Sequence, residues 1–182
     1  MNIRLKMVLI LTLFACISGG VLSLVYIVSS PLIEANVLKE QDRSIFLVVP
    51  EAKTYDEVEK EAVTYFNCKD ESGRTVGIAL PAKGNGYQGV IRLMVGLTPD
   101  LEKITGVAVL EQVETPGLGG RIAEKDFQDQ FKGVITDPAV GWVKNQAPEK
   151  KTDIQAVTGA TISSRSVVAI INRSIQEIKQ VL

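Results

Sequence analysis

Histidine is absent from all 182 residues. That absence removes the usual general base, the Ser-His-Asp triad and most zinc or haem sites, so hydrolysis by side chains is not expected. Cysteine occurs only twice, at Cys16 and Cys68. Neither has a C-x-x-C partner, which argues against a disulfide framework, dithiol chemistry, an iron–sulfur cluster or any other metal site. Charge of one sign is also missing: 20 Lys and Arg stand against 21 Asp and Glu, a formal net charge of −1. No basic footprint or motif for nucleic acid is present. There is no low-complexity linker and no internal repeat, and the single tryptophan, Trp142, reads first as a packing anchor.

What the chain does have is a long apolar run. Residues 8–28 carry no charge, enough for a helix across a hydrocarbon core that needs about 20 residues. Arg4 and Lys6 precede the run, whereas residues 29–38 carry only Glu34. The positive-inside rule then places residues 1–7 in the cytoplasm and the remainder outside, on a single membrane pass. A cleavable signal peptide would have a shorter apolar core. Leu13-Phe14-Ala15-Cys16 is a poor lipoprotein signal, because Phe14 is bulky and the apolar sequence continues past the cysteine. Pro31 is placed to end or bend the membrane helix, and residues 29–50 read as a connecting amphipathic helix through Val37, Leu38, Ile45, Leu47 and Val48, closed by Pro50.

Residues 51–182 read as the outer domain. Strand patterns cover 62–68 and 74–80 around a polar turn, then 90–97 and 104–113 around Thr98-Pro99-Asp100. Residues 84–89 are glycine-dense and include Tyr87, a loop that invites close approach by backbone or ligand. Residues 126–131 predict a short helix, with Phe127 and Phe131 as core contacts, and Cys68 reads as a buried thiol. Residues 134–144 predict a loop with a short strand, and Ile154 to Val157 a last strand before the final helix. That helix is amphipathic through Val167, Val168, Ile170, Ile171, Ile175, Ile178 and Leu182. Strands in hairpins, with helices mainly at the chain's two ends, predict an α+β fold with a twisted, largely antiparallel sheet and flanking helices.

Two segments carry chemistry. Thr158-Gly159-Ala160-Thr161-Ile162-Ser163-Ser164 ends at a helix start, where unpaired N–H groups and a partial positive charge suit an anion. The same hydroxyls also suit a plain N-cap at Ser163 or Ser164. Glu114-Thr115-Pro116-Gly117-Leu118-Gly119-Gly120 combines a fixed proline with flexible glycines, which would either hold Leu118 out on a rigid loop or tuck it into the core. Both pairs of readings follow from local physics alone.

Thr158-Gly159-Ala160-Thr161-x-Ser163 resembles the flavinylation motif of FMN-binding domains in the Rnf and sodium-pumping quinone reductase complexes, and the Glu114 to Gly120 segment resembles the same family's second signature. Order and interval also match, and the similarity, which spans nearly the whole chain, favours the G subunit of Rnf complexes. The resemblance implies covalent FMN in phosphoester linkage to Thr161. It implies flavin contacts from Thr158, Gly159, Ala160, Ser163, Ser164, Glu114, Thr115, Gly117, Leu118, Gly119 and Tyr87. A flavin transferase would attach the group outside the membrane, since no neighbouring residue activates the threonine hydroxyl. The partners implied are the other membrane and iron–sulfur subunits of a ferredoxin:NAD oxidoreductase that moves sodium ions or protons, within which this chain would relay electrons. One departure stands out: the family commonly has an acid three places before the first threonine, where this chain has Gln155, with Asp153 two residues earlier. A nonredox anchored module and the quinone-reductase C subunit are the alternatives, although the latter usually has a longer outer domain.

Overall fold

The computed structural model describes residues 2–61 and 63–182. Met1 lies outside the described residues, as do Ala62, the expected first residue of a strand, and the side chains of Glu34, Ala35 and Leu38. Helix α1, Ile3–Val48, opens the chain, and its Ile3–Ile33 part is long and apolar enough to cross a bilayer. The chain divides into two compact units, Met1–Glu40 and Gln41–Leu182.

The sequence predicts two helices parted at Pro31, but one helix runs through it. A proline deletes a single N–H bond and crowds the carbonyl four residues back. Ending the helix there would instead unpair up to about four carbonyls before the break and four N–H groups after it, a larger loss than the one bond. The expected amphipathic stripe is also narrower than the sequence suggests. Ile45, Val48 and Val49 are fully buried, while Leu47 and Val37 are exposed.

The C-terminal unit is built on a five-stranded antiparallel meander, β1 to β5 in spatial as in chain order. The strands are β1 Thr54–Lys60, β2 Val63–Lys69, β3 Thr75–Asn85, β4 Val90–Leu97 and β5 Ile104–Glu111. The α+β class and antiparallel sheet are as expected, but β1 is an addition. Its half-buried positions, Tyr55 and Val58, lie three apart among charges, so no alternation marks it as a strand. Strand β3 also runs five residues past the expected end at Leu80. Its pairing with β2 stops at Ala79, so Pro81 lies where β3 has β4 as its only neighbour, and the register with β4 runs unbroken through Pro81–Met94 to Asn85–Val90.

Each face of the sheet is covered. On one, helix α3, Thr161–Val181, lays Val167, Val168, Ile171, Ile175 and Ile178 against Ile78, Leu80, Ile91, Leu93 and Val95. Each such side chain contributes about 1.5–3 kcal/mol on burial. On the other face the end of α1 seats Ile45, Val48 and Val49 on Phe66, Cys68, Ala79, Met94 and Ala108. That approach is close because Gly96 and Gly106 are register partners beneath it. A Cβ on Gly96 would collide with the Val48 carbonyl oxygen, which instead accepts a hydrogen bond from Thr105 Oγ1 at 2.6 Å. Cys68 is the buried thiol expected, and burial pushes it up to about 11.

Shorter elements frame one end of the sheet. A 3-10 turn, Gly119–Ala123, leads into helix α2, Lys125–Asp129, which carries Phe127; Phe127 meets Phe131 edge-on in the core at a ring separation of 5.5 Å. Strands β6, Gly141–Val143, and β7, Asp153–Gln155, form a small parallel pair. Strand β7 delivers the chain to Thr158 and the head of α3.

Candidate functional site

The site is assembled around one carboxylate. Glu114 leaves the end of β5 and is only 4% exposed. Its Oε1 accepts the backbone N–H groups of Tyr87 at 2.8 Å and Gln88 at 3.0 Å. Its Oε2 accepts the Ser163 hydroxyl at 2.6 Å. One side chain therefore ties the β3–β4 turn, the loop after β5 and the first turn of α3 together. Burial pushes the Glu114 carboxyl up, but the Ser163 hydroxyl and the Gln88 and Tyr87 amides outweigh it and leave the group below its ordinary value of 4.5. The glycines make room: a Cβ on Gly119 would meet Ser163 Oγ at 2.6 Å and Glu114 Oε2 at 2.7 Å.

The loop between Glu114 and Gly119 is a tight turn. The Thr115 carbonyl accepts the N–H groups of Leu118 at 3.1 Å and Gly120 at 2.9 Å, and Gly117 takes the left-handed conformation with φ 75°. Leu118 is held out at 50% exposure rather than tucked into the core. Its Cδ2 comes within 3.4 Å of the place a Cβ on Gly159 would occupy, so the two signature segments face one another.

At the head of α3 the N-cap position is Ala160, and no side chain caps the helix. The expectation of an N-cap at Ser163 or Ser164 is corrected here, because both lie inside the first turn. Ser164 Oγ accepts the Val157 N–H at 2.9 Å and donates to the Ala160 carbonyl at 3.0 Å. Ser163 is committed to Glu114. The helix terminus thus keeps its partial positive charge beside Thr161, which is partly exposed.

Of the residues singled out in the sequence, Tyr87, Glu114, Thr115, Leu118, Gly119, Gly159, Ala160, Thr161 and Ser163 line one cleft of about 380 Å³. Ser164 is fully buried and bonds only within the protein. Thr158 lines a neighbouring cleft of about 210 Å³ with Arg121, Gln130 and Gln155. Gly117 borders neither but shapes the turn. Gln155 is held through its backbone: its N–H donates to Gln130 Oε1 at 2.8 Å and its carbonyl accepts Gln130 Nε2 at 3.3 Å. Asp153 accepts the Thr152 hydroxyl at 2.8 Å and sits against Gly141. Ile162 and Lys144 also line the main cleft. Ile162 falls inside the motif, but no local pattern points to Lys144, which reaches the cleft only through the β6–β7 pairing.

Chemically, the cleft joins an uncapped helix terminus and a threonine hydroxyl to an apolar rim of Leu118, Ile162 and Tyr87, which are 50%, 46% and 66% exposed. That combination fits a flat, largely apolar group with an anionic end. Among the described residues Glu114 is its only lining carboxylate and Lys144 its only lining cation, and the chain has no histidine. Both oxygens of that carboxylate are already bonded within the protein.

Residues 86–176 match the FMN-binding domain family, a span that takes in Tyr87, both signatures and most of α3. Over 168 residues the chain is 31% identical to the G subunit of the proton-translocating ferredoxin:NAD(+) oxidoreductase complex of Clostridium ljungdahlii, a match that covers 92% of this chain and 88% of that relative. The C subunit of the Na(+)-translocating NADH-quinone reductase of Haemophilus ducreyi is 34% identical over 104 residues, but only 40% of that relative is covered. The crystal structure of the C subunit of the Na(+)-translocating NADH-quinone reductase from Parabacteroides distasonis shares the fold, with a TM-score of 0.63 at 18% identity over 81% of this chain and 94% of that one. With one domain in common with both kinds of relative and nearly its full length in common with the first, this chain belongs to the FMN-binding domain family, among the G subunits of ion-translocating oxidoreductase complexes.

Proposed function

We propose that this chain is a membrane-anchored electron carrier holding FMN covalently on Thr161, one relay in an ion-translocating ferredoxin:NAD oxidoreductase complex. The observation that carries the reading is the meeting of Thr161, an uncapped α3 terminus and the outward Leu118 in one cleft. If FMN is bound here, the helix terminus with its N–H groups would hold the phosphate, and Leu118, Ile162 and Tyr87 would offer faces for the isoalloxazine. When bound, the flavin supplies the redox chemistry. The chain's own residues orient it, screen one side from water and fix the local charge. Glu114 acts indirectly, since both its oxygens are taken by Tyr87, Gln88 and Ser163.

Attachment calls for an outside enzyme. In a transfer from FAD, the bond from Thr161 Oγ to phosphorus forms as the pyrophosphate bond breaks, AMP leaves, and the hydroxyl proton passes to a base. Among the described residues the one carboxylate lining the cleft has both oxygens already bonded, so we assign that base to a flavin transferase. Full-length chain purified from cells with an active transferase is expected to stay yellow through denaturation and to bleach reversibly on reduction. A colourless chain from those cells would hand the site to a nonredox binding module.

The orientation follows from Arg4 and Lys6 before the apolar run and the scarcity of cations directly after it. The flavin domain then lies outside the cytoplasm. Reporter fusions at the two ends check this: the N-terminal one is expected to label only from the cytoplasm and the C-terminal one only from outside. External silence of the C-terminal reporter would reverse the assignment.

A further inference from the structure

Building on the flavin reading, we infer that Lys144 sets the charge of the cleft and raises the reduction potential of the flavin bound there. Among the described lining residues Lys144 is the one cation and Glu114 the one carboxylate. The carboxylate is not free to respond, because two backbone N–H groups and the Ser163 hydroxyl fix it and keep it ionised. Any negative charge arriving in the cleft therefore meets a fixed anion, the helix terminus and Lys144.

Backbone pairing fixes where this lysine stands. The Val143 carbonyl accepts the Ala156 N–H at 2.9 Å, and Val143 is the register partner of Gln155, so the residue before Lys144 is pinned to the strand that leads into Thr158. The residue after it, Asn145, turns the chain with φ 56° in the left-handed region, which asparagine tolerates better than most side chains. Lys144 thus stands between a hydrogen-bonded strand end and a turn, on the margin of the cleft.

Reduction of a flavin by two electrons and one proton leaves one negative charge on the ring system. Attraction to a cation that lines the same cleft favours that form, by an amount that falls with the distance between the two charges. The side chain is exposed, so dissolved salt weakens the effect. Lys144 is a charge-setting residue.

The test uses full-length chain loaded with FMN by a flavin transferase, as native protein, Lys144→Gln and Lys144→Arg, each titrated in a spectroelectrochemical cell at low and high ionic strength. Denaturing-gel fluorescence first establishes equal loading. Lys144→Gln is expected to move the midpoint to more negative potential, lowering the equilibrium constant for reduction by about 5-fold or more at low salt. Lys144→Arg should stay near native, and the gap between Gln and native should shrink at high salt. Equal midpoints in native and Lys144→Gln, with both loaded, overturn the inference and leave the flavin reading standing. A native chain that takes up no flavin overturns both.

Discussion

Thr161→Val is expected to abolish covalent flavin while leaving the fold intact. Valine keeps the β-branched shape and nearly the volume of threonine and removes only the hydroxyl. That hydroxyl caps nothing, since the α3 cap position is Ala160 and no side chain bonds there. Thr161 is also partly exposed, so the change in stability should stay within about 0.5 kcal/mol, as for surface substitutions that break no special contact. The loss of flavin fluorescence on a denaturing gel should nonetheless be complete. Thr158 is no substitute nucleophile, because it faces the adjoining cleft with Arg121 and Gln155. Unchanged fluorescence in Thr161→Val would place the attachment elsewhere.

Glu114→Ala is expected to lower the stability of the C-terminal unit by about 2–4 kcal/mol and to reduce flavin loading with it. The substitution leaves the buried Ser163 hydroxyl, and the partly buried bonds from the Tyr87 and Gln88 N–H groups, without their charged acceptor. Three segments lose their common tie, and all three carry residues that line the cleft. Thermal unfolding of the full chain reads the first effect, as a fall of roughly 5 °C or more. Flavin yield per chain reads the second. The pH dependence has a definite sign: the Glu114 carboxyl lies below its ordinary 4.5 in the folded protein, so its contribution is fully present above the unfolded value and is lost as pH falls through the folded one. Native chain should therefore lose stability on acidification below about pH 4.5 more steeply than Glu114→Ala. Parallel curves would mean that the carboxylate does not carry this tie.

Much of this is legible in the sequence. The apolar anchor, the hairpin strands and the closing helix follow from periodicity because each buries one regular stripe. Glycines and hydroxyls concentrated in two segments mark the cleft. What sequence hides depends on distant partners. Strand β1 is an edge strand with charges on both sides of a thin apolar pair, so only its pairing with β2 defines it. Ser163 and Ser164 look like caps because local sequence cannot tell that Glu114, 49 residues away, claims one hydroxyl and the Val157 amide the other. Pro31 looks like a break because its local cost is visible in sequence, whereas the greater cost of unpairing the backbone groups on either side of a break is not. Lys144 carries no motif at all. Its place depends on β6 pairing with β7 across a loop.

Gln155 gains a structural role that its sequence position does not suggest. Both of its backbone hydrogen bonds go to Gln130, which secures β7 just before the motif whatever the side chain at 155. Asp153, two residues before it, accepts the Thr152 hydroxyl through Oδ1 and lies against Gly141. The Thr158-Gly159-Ala160-Thr161 run on which the proposed attachment rests is unbroken.

Covalent flavin on Thr161 is tested most directly by peptide mass spectrometry of native full-length chain coexpressed with a flavin transferase that is active on a control substrate. The expected result is one FMN phosphoester per chain, on the peptide containing Thr158 to Ser164, with fragment ions placing it on Thr161. An unmodified peptide under those conditions, or an adduct on Thr158, would contradict it.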